Sequence, residues 1–164
     1  MSVQTSVDTN YAAAIAGLPQ GDVISTNDRY AEVAIQAGVL VCQGTADGQC
    51  KLPTSSGEVA KGLGIAPSRI NDSRFPSGGS AGVTYQISDT VGAISRGKVW
   101  VTVEDAVTAG SQAYARHTAN GGNTQRGAFR SDADSSNAAA VTGCRFLTST
   151  SGGGLALVDL NLPQ

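Results

Sequence analysis

His117 is the only histidine of the chain and the sole candidate for a general base that would activate a serine or cysteine nucleophile. Such a base must lie within hydrogen-bonding reach of the nucleophile and is usually oriented by a carboxylate. His117 stands beside a turn in the run Ala-Arg-His-Thr-Ala, and the nucleophile motif Gly-x-Ser-x-Gly does not occur. We therefore predict no catalytic residues and no enzyme activity, with a hydrolase that uses His117 as an alternative.

Phosphate-binding and nucleotide-binding motifs are matched only in part. The run 92–98 supplies the glycines and the lysine of a phosphate-binding loop, but Val99 stands where the motif needs a hydroxyl. Lys98 also begins a predicted strand, so the helix N-terminus that would hold the anion is missing. Gly62 and Gly64 lack the third glycine of a dinucleotide fingerprint. We predict no nucleotide site.

Metal-ligating residues are few, and their spacing does not suit a metal site. Zinc sites use pairs of ligands two to four residues apart, and Cys42, Cys50 and Cys144 form no such pair. We predict that the cysteines are small buried apolar residues, with a contact between Cys42 and Cys50 across a hairpin as an alternative. Asp132 and Asp134 resemble part of a calcium loop but lack the glycine and the bidentate glutamate of an EF-hand. We interpret them as solvated turn residues and predict no metal and no cofactor.

The composition is that of a glycine-rich domain with little charge. Of 164 residues 21 are glycine, charged residues make up 15%, hydrophobic residues 40%, and the formal net charge is −2. This chain is too apolar and too weakly charged to be generically disordered. It has no cluster of Lys and Arg that would neutralise phosphates, and no apolar run approaches the ~20 residues that span a bilayer. We expect no nucleic-acid partner and no membrane partner.

Short apolar runs with a period of two, separated by glycine-rich turns, predict a β-domain. In the clearest strand, Val99, Val101 and Val103 share one face. Trp100 lies on the other face, where it either covers a second layer or makes a subunit contact. The predicted strands cover 32–36, 39–42, 49–52, 59–66, 83–87, 98–103, 112–116, 127–130, 141–147 and 155–160, and 68–82 is a predicted surface loop.

Two stretches of the chain repeat the same order of sequence features. An Ala-Gly step at 37–38 leads to an apolar run, a turn at 47–48, a returning run, and a strand near 61–65. The step at 109–110 leads to a run at 113–115, a turn at 120–122, a return at 128–129, and a strand near 142–146. The repeat predicts a mainly β fold, a small β-sandwich or barrel of two similar β units.

The first 25 residues are low in charge and lack a sustained period. They form either a poorly ordered terminus or an extended N-terminal arm that reaches onto a neighbouring subunit. The second interpretation is favoured because several apolar side chains there would be costly to leave in water. We predict an arm over 1–25 and a β-rich domain over 26–164. The predicted contact residues are Val3, Val7, Tyr11, Ile15, Leu18 and Trp100.

The runs 13–19, 23–26 and 34–41 resemble the opening of capsid cement, or decoration, proteins of tailed bacteriophages. The later runs 61–66 and 97–103 are similar to that family in the placement of glycine and valine. The resemblance covers about residues 12–160. It rests on the pattern of glycine and valine residues and not on invariant chemical groups.

The resemblance implies a structural virion protein that binds the outside of an icosahedral capsid. It would bridge neighbouring capsomers of the major capsid protein, stabilise the head and have no active site. Its other partner would be itself, as a homodimer or alternatively a homotrimer. It would be made in the host cytoplasm and end on the capsid exterior. The alternative is a tail or baseplate component, or a virion module that binds host glycans. Clustered exposed aromatics would favour that alternative, but four tyrosines and one tryptophan are dispersed along the chain.

Overall fold

Eleven strands and one short helix make up the fold in the computed structural model, which describes residues 16–23, 25–68 and 84–163. A helix α1 (Ser56–Ala60) follows β4, and a single 3-10 turn over Asp134–Ser136 precedes β10. In the described ranges, no helix is long and apolar enough to cross a membrane. The strands are β1 (Ser25–Ala31), β2 (Ile35–Gln36), β3 (Leu40–Gln43), β4 (Gln49–Lys51), β5 (Gly64–Ile65), β6 (Thr84–Tyr85), β7 (Thr90–Val103), β8 (Gln112–Arg116), β9 (Phe129–Arg130), β10 (Ala138–Phe146) and β11 (Gly154–Asn161).

The 14-residue strand β7 belongs to two small barrels. Its first half pairs with β1 and β5, and the ring β1-β4-β3-β5-β7 closes the first barrel. Its second half pairs with β11 and β9, and the ring β7-β11-β10-β8-β9 closes the second barrel. The prediction of a mainly β fold with two similar β units is therefore confirmed.

The two barrels repeat one topology. In the first, β1 runs parallel to β4, and the order continues through β3 and β5 to the first half of β7. In the second, the second half of β7 runs parallel to β9, and the order continues through β8 and β10 to β11. Each repeat also places one helical turn before its fourth strand, α1 in the first and the 3-10 turn in the second. β7 is thus the last strand of one repeat and the first strand of the next.

The buried side chains of β7 divide between two core clusters. Val91 and Ala93 lie in the cluster inside the first barrel, whereas Ile94 lies with the second-barrel core. Val99 and the two valines that follow it at alternate positions are buried in that same second core, as their spacing predicts. The core of the second barrel also includes Val59 of α1, so α1 covers the junction between the barrels.

The structure corrects two of the predicted elements. A strand was predicted over 32–36, but the main strand there is β1, which ends at Ala31, and only Ile35–Gln36 pairs again as β2. A strand was predicted over 59–66, but the region begins with α1. Ser55 caps that helix because its side-chain oxygen accepts the Glu58 N–H, and Glu58 reaches back to the Thr54 N–H at 2.6 Å.

The run 83–87 is only partly a strand. Tyr85 is buried in β6 as the alternation predicts, but Ile87 lies in a turn and is 68% exposed. The turn is closed by the Asp89 N–H, which donates to the Gln86 carbonyl at 3.0 Å. Most of the predicted loop 68–82 lies outside the described residues, as do residues 1–15 of the predicted arm.

Candidate functional site

His117, the one candidate general base, is almost enclosed. It is 9% exposed, its Nδ1 lies 2.9 Å from the Thr118 hydroxyl, and its Nε2 is buried with no hydrogen-bond partner in the part of the chain that the structure describes. A general base must reach a proton of its substrate. The surroundings of His117 are those of a packed side chain at the end of β8.

Asp132 is solvated as the sequence predicts, with a side chain that is 66% exposed, whereas Asp134 is not, and both bind arginine. Asp132 Oδ1 accepts from Arg130 Nη2 at 2.8 Å, and Asp134 Oδ2 lies 2.7 Å from Arg116 Nη2. The Arg116 guanidinium holds the pKa of Asp134 below its usual value. Among the described residues, no group of three or more His, Cys, Asp and Glu side chains is placed to hold a metal ion.

These contacts belong to an arginine network that comprises Glu104, Arg116, Arg130 and Asp134. Arg116 is fully buried, and its Nε and Nη2 donate to both oxygens of Glu104 at 2.8–2.9 Å. Arg130 lies 3.3 Å from Glu104 and 3.2 Å from Asp134. Glu104 follows β7, while the arginines end β8 and β9, so the network ties three strands and the 3-10 turn together at one end of the second barrel. Glu104 is therefore a buried carboxylate shared by two arginines.

The first barrel has a smaller counterpart of this network. Lys51 ends β4, as Arg130 ends β9, and its Nζ lies 3.0 Å from Glu58 of α1. Glu32 follows β1, as Glu104 follows β7, and accepts the Thr45 N–H at 2.6 Å. Charged groups at equivalent positions thus lie at the ends of both barrels, where they have a structural role.

The three cysteines are free and buried. Cys42 is opposite Lys51 and Cys50 is opposite Gln43, so the two thiols occupy successive positions of the hairpin and point to opposite faces. The alternative of a Cys42–Cys50 contact is wrong, and the prediction of small buried apolar residues is confirmed. Burial raises the pKa of Cys42 to about 12 and that of Cys50 to about 11, and it also raises the pKa of Cys144.

Two of the six predicted contact residues, Leu18 and Trp100, lie side by side. The Trp100 N–H donates to the Leu18 carbonyl at 3.0 Å, and the Trp100 carbonyl accepts the Gly17 N–H at 2.7 Å. Pro19 pairs with Val99 in the same antiparallel register, so Leu18 and Trp100 share the face opposite the valine core. Both side chains are half-buried. The other four, Val3, Val7, Tyr11 and Ile15, lie outside the described residues.

The row continues across the sheet. Leu157 of β11, which is only 6% exposed, is opposite Trp100, and the half-buried Leu155 is opposite Thr102. We call the outward side of β7 from Arg96 to Thr102, with Leu18, Arg145, Leu155, Leu157 and Asp159, the second-barrel outer face.

Sequence reasoning did not identify a second apolar surface, on the first barrel. Tyr30 in β1 is 58% exposed and Ile87 is 68% exposed, and both lie at the same end of that barrel. The alternation of Val83, Tyr85 and Ile87 predicted a buried Ile87 instead. The only indication in the sequence that Ile87 is exposed is that Ser-Asp, two typical turn residues, follow it before β7 begins.

Comparison with known proteins agrees with a structural role. A family model described as "Structural cement protein (E217 gp24/Pam3 gp6)" matches residues 3–161. A chain of a solved structure described as "The capsid of Myoviridae Phage XM1" is similar in fold, with a TM-score of 0.56 and 22% identity over 95% of this chain and 98% of that chain. No curated protein matches.

The same fold thus occurs in a chain of a phage capsid structure. Because the family model spans nearly the whole sequence, the chain belongs to the phage structural cement protein family. The resemblance inferred from the glycine and valine patterns is confirmed. Members of such a family associate with capsid proteins in the virion.

Proposed function

We propose that the chain binds the outer surface of an icosahedral phage head, bridges neighbouring capsomers of the major capsid protein and stabilises the head. Family membership supports the association with the capsid. The observation that supports binding to the outer surface, bridging and stabilisation is the pairing of Leu18 with Trp100. It fixes residues 16–20 of the N-terminal segment against Trp100, a half-buried side chain that the barrel core does not use.

In this proposal residues 1–25 act as an arm and residues 26–164 as the cement domain. Residues 1–15 contain one charged side chain, Asp8, and several large apolar ones. Burying apolar surface stabilises a contact by about 25 cal/mol per Å², which offsets the entropy lost when a segment becomes ordered. The proposed contacts to capsid protein or to a neighbouring subunit are Val3, Val7, Tyr11, Ile15, Leu18 and Trp100.

The rigidity of the domain suits it to bridging. β7 runs through both barrels, and its 14 residues span about 45 Å at ~3.3 Å per residue. A rigid body of that length that contacts one capsomer holds its other end close to the next. The second contact is then intramolecular, and the combined affinity exceeds that of either patch. Copies would meet as a homodimer, or alternatively as a homotrimer, because a capsid offers local two-fold and three-fold positions.

Co-sedimentation with heads assembled without this protein tests the proposal. The full chain should saturate the heads, and a chain that lacks residues 1–15 should fold but bind at least ~10-fold more weakly, since it loses four apolar contacts. Trp100→Ala should weaken binding too, whereas Tyr114→Ala, which removes another half-buried aromatic on β8, should not. If heads bind the truncated chain at full occupancy and unchanged affinity, the arm has no role in binding.

A further inference from the structure

The tip of the first barrel displays large apolar side chains on a fixed frame. Tyr30 lies in β1, where its N–H donates to the Gly48 carbonyl at 2.8 Å. Ile87 lies in the turn before β7, which is fixed to β1 because the Ser88 N–H donates to the Ala31 carbonyl at 2.8 Å. Their exposed fractions, 58% and 68%, are the largest among the large hydrophobic residues that the structure describes. Rigid exposed apolar side chains of this kind are typical of protein contacts.

Carboxylates surround this pair. Four acidic residues lie on β1 or on the segments bonded to its end, against two cations, Arg29 of β1 and Lys51 of β4, and Lys51 is paired with Glu58. Glu32 and Asp89 are held by backbone N–H groups of Thr45 and Gln86, so their negative charges are fixed in place. We call this surface the first-barrel tip; it comprises Asp28, Tyr30, Glu32, Asp47, Ile87 and Asp89.

The second-barrel outer face has the opposite charge. Arg96 and Lys98 are exposed on β7, and Arg145 is exposed on β10. The only carboxylate in these rows is Asp159, which is opposite both Lys98 and Arg145. The apolar row of Leu18 and Trp100 lies directly beside these cations.

We propose that the first-barrel tip of one copy docks on the second-barrel outer face of a second copy. Tyr30 and Ile87 would cover the apolar row, and the carboxylates of the tip would face the cations of the outer face. Thr90 and Arg96 are six residues apart on β7, up to about 20 Å at ~3.3 Å per residue, so a chain engages both surfaces only through neighbours. The inference rests on the proposed function and deepens it, because it names the contact through which copies of the cement protein meet.

A contact between two different surfaces can form a closed assembly of copies in one of two ways. Two copies related by a two-fold axis make it reciprocally, and three or more copies make it head to tail around a ring. In both cases the tip of every copy is covered by the outer face of another copy. A chain with a defective tip therefore retains a good outer face, and the reverse holds for a chain with a defective outer face.

Mixing two full-length variants tests this arrangement. The tip variant carries Tyr30→Ser and Ile87→Ser, and the face variant carries Arg96→Glu and Lys98→Gln. All four side chains lie at the surface, and thermal unfolding verifies that each variant folds. Lys61→Glu, a charge change on an exposed residue away from both surfaces, is the control.

Native mass spectrometry and sedimentation velocity should show that wild type and Lys61→Glu self-associate. Each double variant alone should associate at least ~10-fold more weakly. An equimolar mixture should form a 1:1 pair that joins the intact tip of one variant to the intact outer face of the other. A mixture that stays monomeric, or a wild type that is monomeric at its solubility limit, would overturn the inference.

Head binding is measured separately on the same variants. A tip variant that self-associates normally but no longer binds heads would assign the tip to the capsid protein, overturning the copy-to-copy contact and leaving the proposed function intact. Loss of self-association with some head binding retained is the expected result.

Discussion

Gly38 and Gly110 occupy equivalent corners of the two barrels. Their φ angles are +81° and +85°, and each donates its N–H to a carbonyl at the end of the fourth strand of its repeat: Ala66, just after β5, at 2.8 Å, and Phe146 of β10 at 2.7 Å. They differ in what surrounds them. A Cβ on Gly38 would lie 2.5 Å from the Ala16 Cβ, whereas a Cβ on Gly110 would have nothing within 4 Å. Ala16 therefore packs on the corner of the first barrel.

The first prediction uses this pair as matched substitutions. Gly110→Ala should lower the free energy of unfolding by about 1 kcal/mol, the cost of a left-handed backbone for an L-residue. Gly38→Ala should cost about 1–3 kcal/mol more, because its Cβ displaces Ala16 and overpacks the corner. Urea denaturation measures both values. Equal costs would show that residues 16–17 do not pack on Gly38 in solution.

The second prediction concerns the arginine network. Glu104→Gln should lower the free energy of unfolding by about 3–5 kcal/mol, because it leaves two buried arginines without their shared carboxylate. Asp132→Asn is the control: the same chemical change on a carboxylate that also binds Arg130 but whose side chain is 66% exposed. It should cost less than about 1 kcal/mol. Similar costs for the two variants would contradict the structural role of Glu104.

The third prediction is a dependence of stability on pH. Arg116 lowers the pKa of Asp134 in the folded protein, so the unfolded chain binds the proton more tightly. The stabilisation is complete above the ordinary aspartate pKa of about 3.9 and is lost as the pH falls through the lower folded value. Between pH 5 and pH 2.5, wild type should therefore lose more stability than Asp134→Asn. Parallel curves from urea denaturation at each pH would contradict this.

The fourth prediction concerns the thiols. Burial raises the pKa of Cys42 to about 12 and of Cys50 to about 11, so at pH 8 both are protonated and shielded. A thiol-specific reagent should label none of the 3 cysteines of the folded protein at pH 8 and all of them in denaturant. Since the unfolded thiols ionise near ~8.5, stability should also fall as the pH rises from about 9 towards 11. Rapid labelling of the folded chain would contradict this prediction, and labelling at Cys42 or Cys50 would show that the hairpin of β3 and β4 opens.

Local patterns were sufficient to predict much of the β architecture. The valine stripe of β7 and the two Ala-Gly steps depend on neighbouring residues only, and both appear in the structure as their spacing indicates. The start of β7 was missed because three successive residues, Ala93, Ile94 and Ser95, are buried. A strand that passes from one core into another loses its alternation of buried and exposed residues at the crossing. The position of the crossing cannot be predicted from neighbouring residues alone.

The remaining differences arise from tertiary contacts. Glu104, Arg116 and Arg130 are far apart in the sequence, and only the closure of the second barrel turns apparently solvated charges into a buried network. Ile87 follows the alternation of β6, but the turn that carries Ser88 at φ +71° rotates the chain and leaves Ile87 exposed. Helix α1 could have been predicted, because Ser55 and Glu58 have the spacing of a capping box.

Electron cryomicroscopy of the native particle tests the central claim most directly. We predict density for this chain on the outer surface of the head, with the two barrels of each copy resting on different capsomers. Residues 1–15 should be ordered against the capsid protein or a neighbouring copy. Density on the tail or baseplate, inside the shell, or confined to a single capsomer would contradict the account.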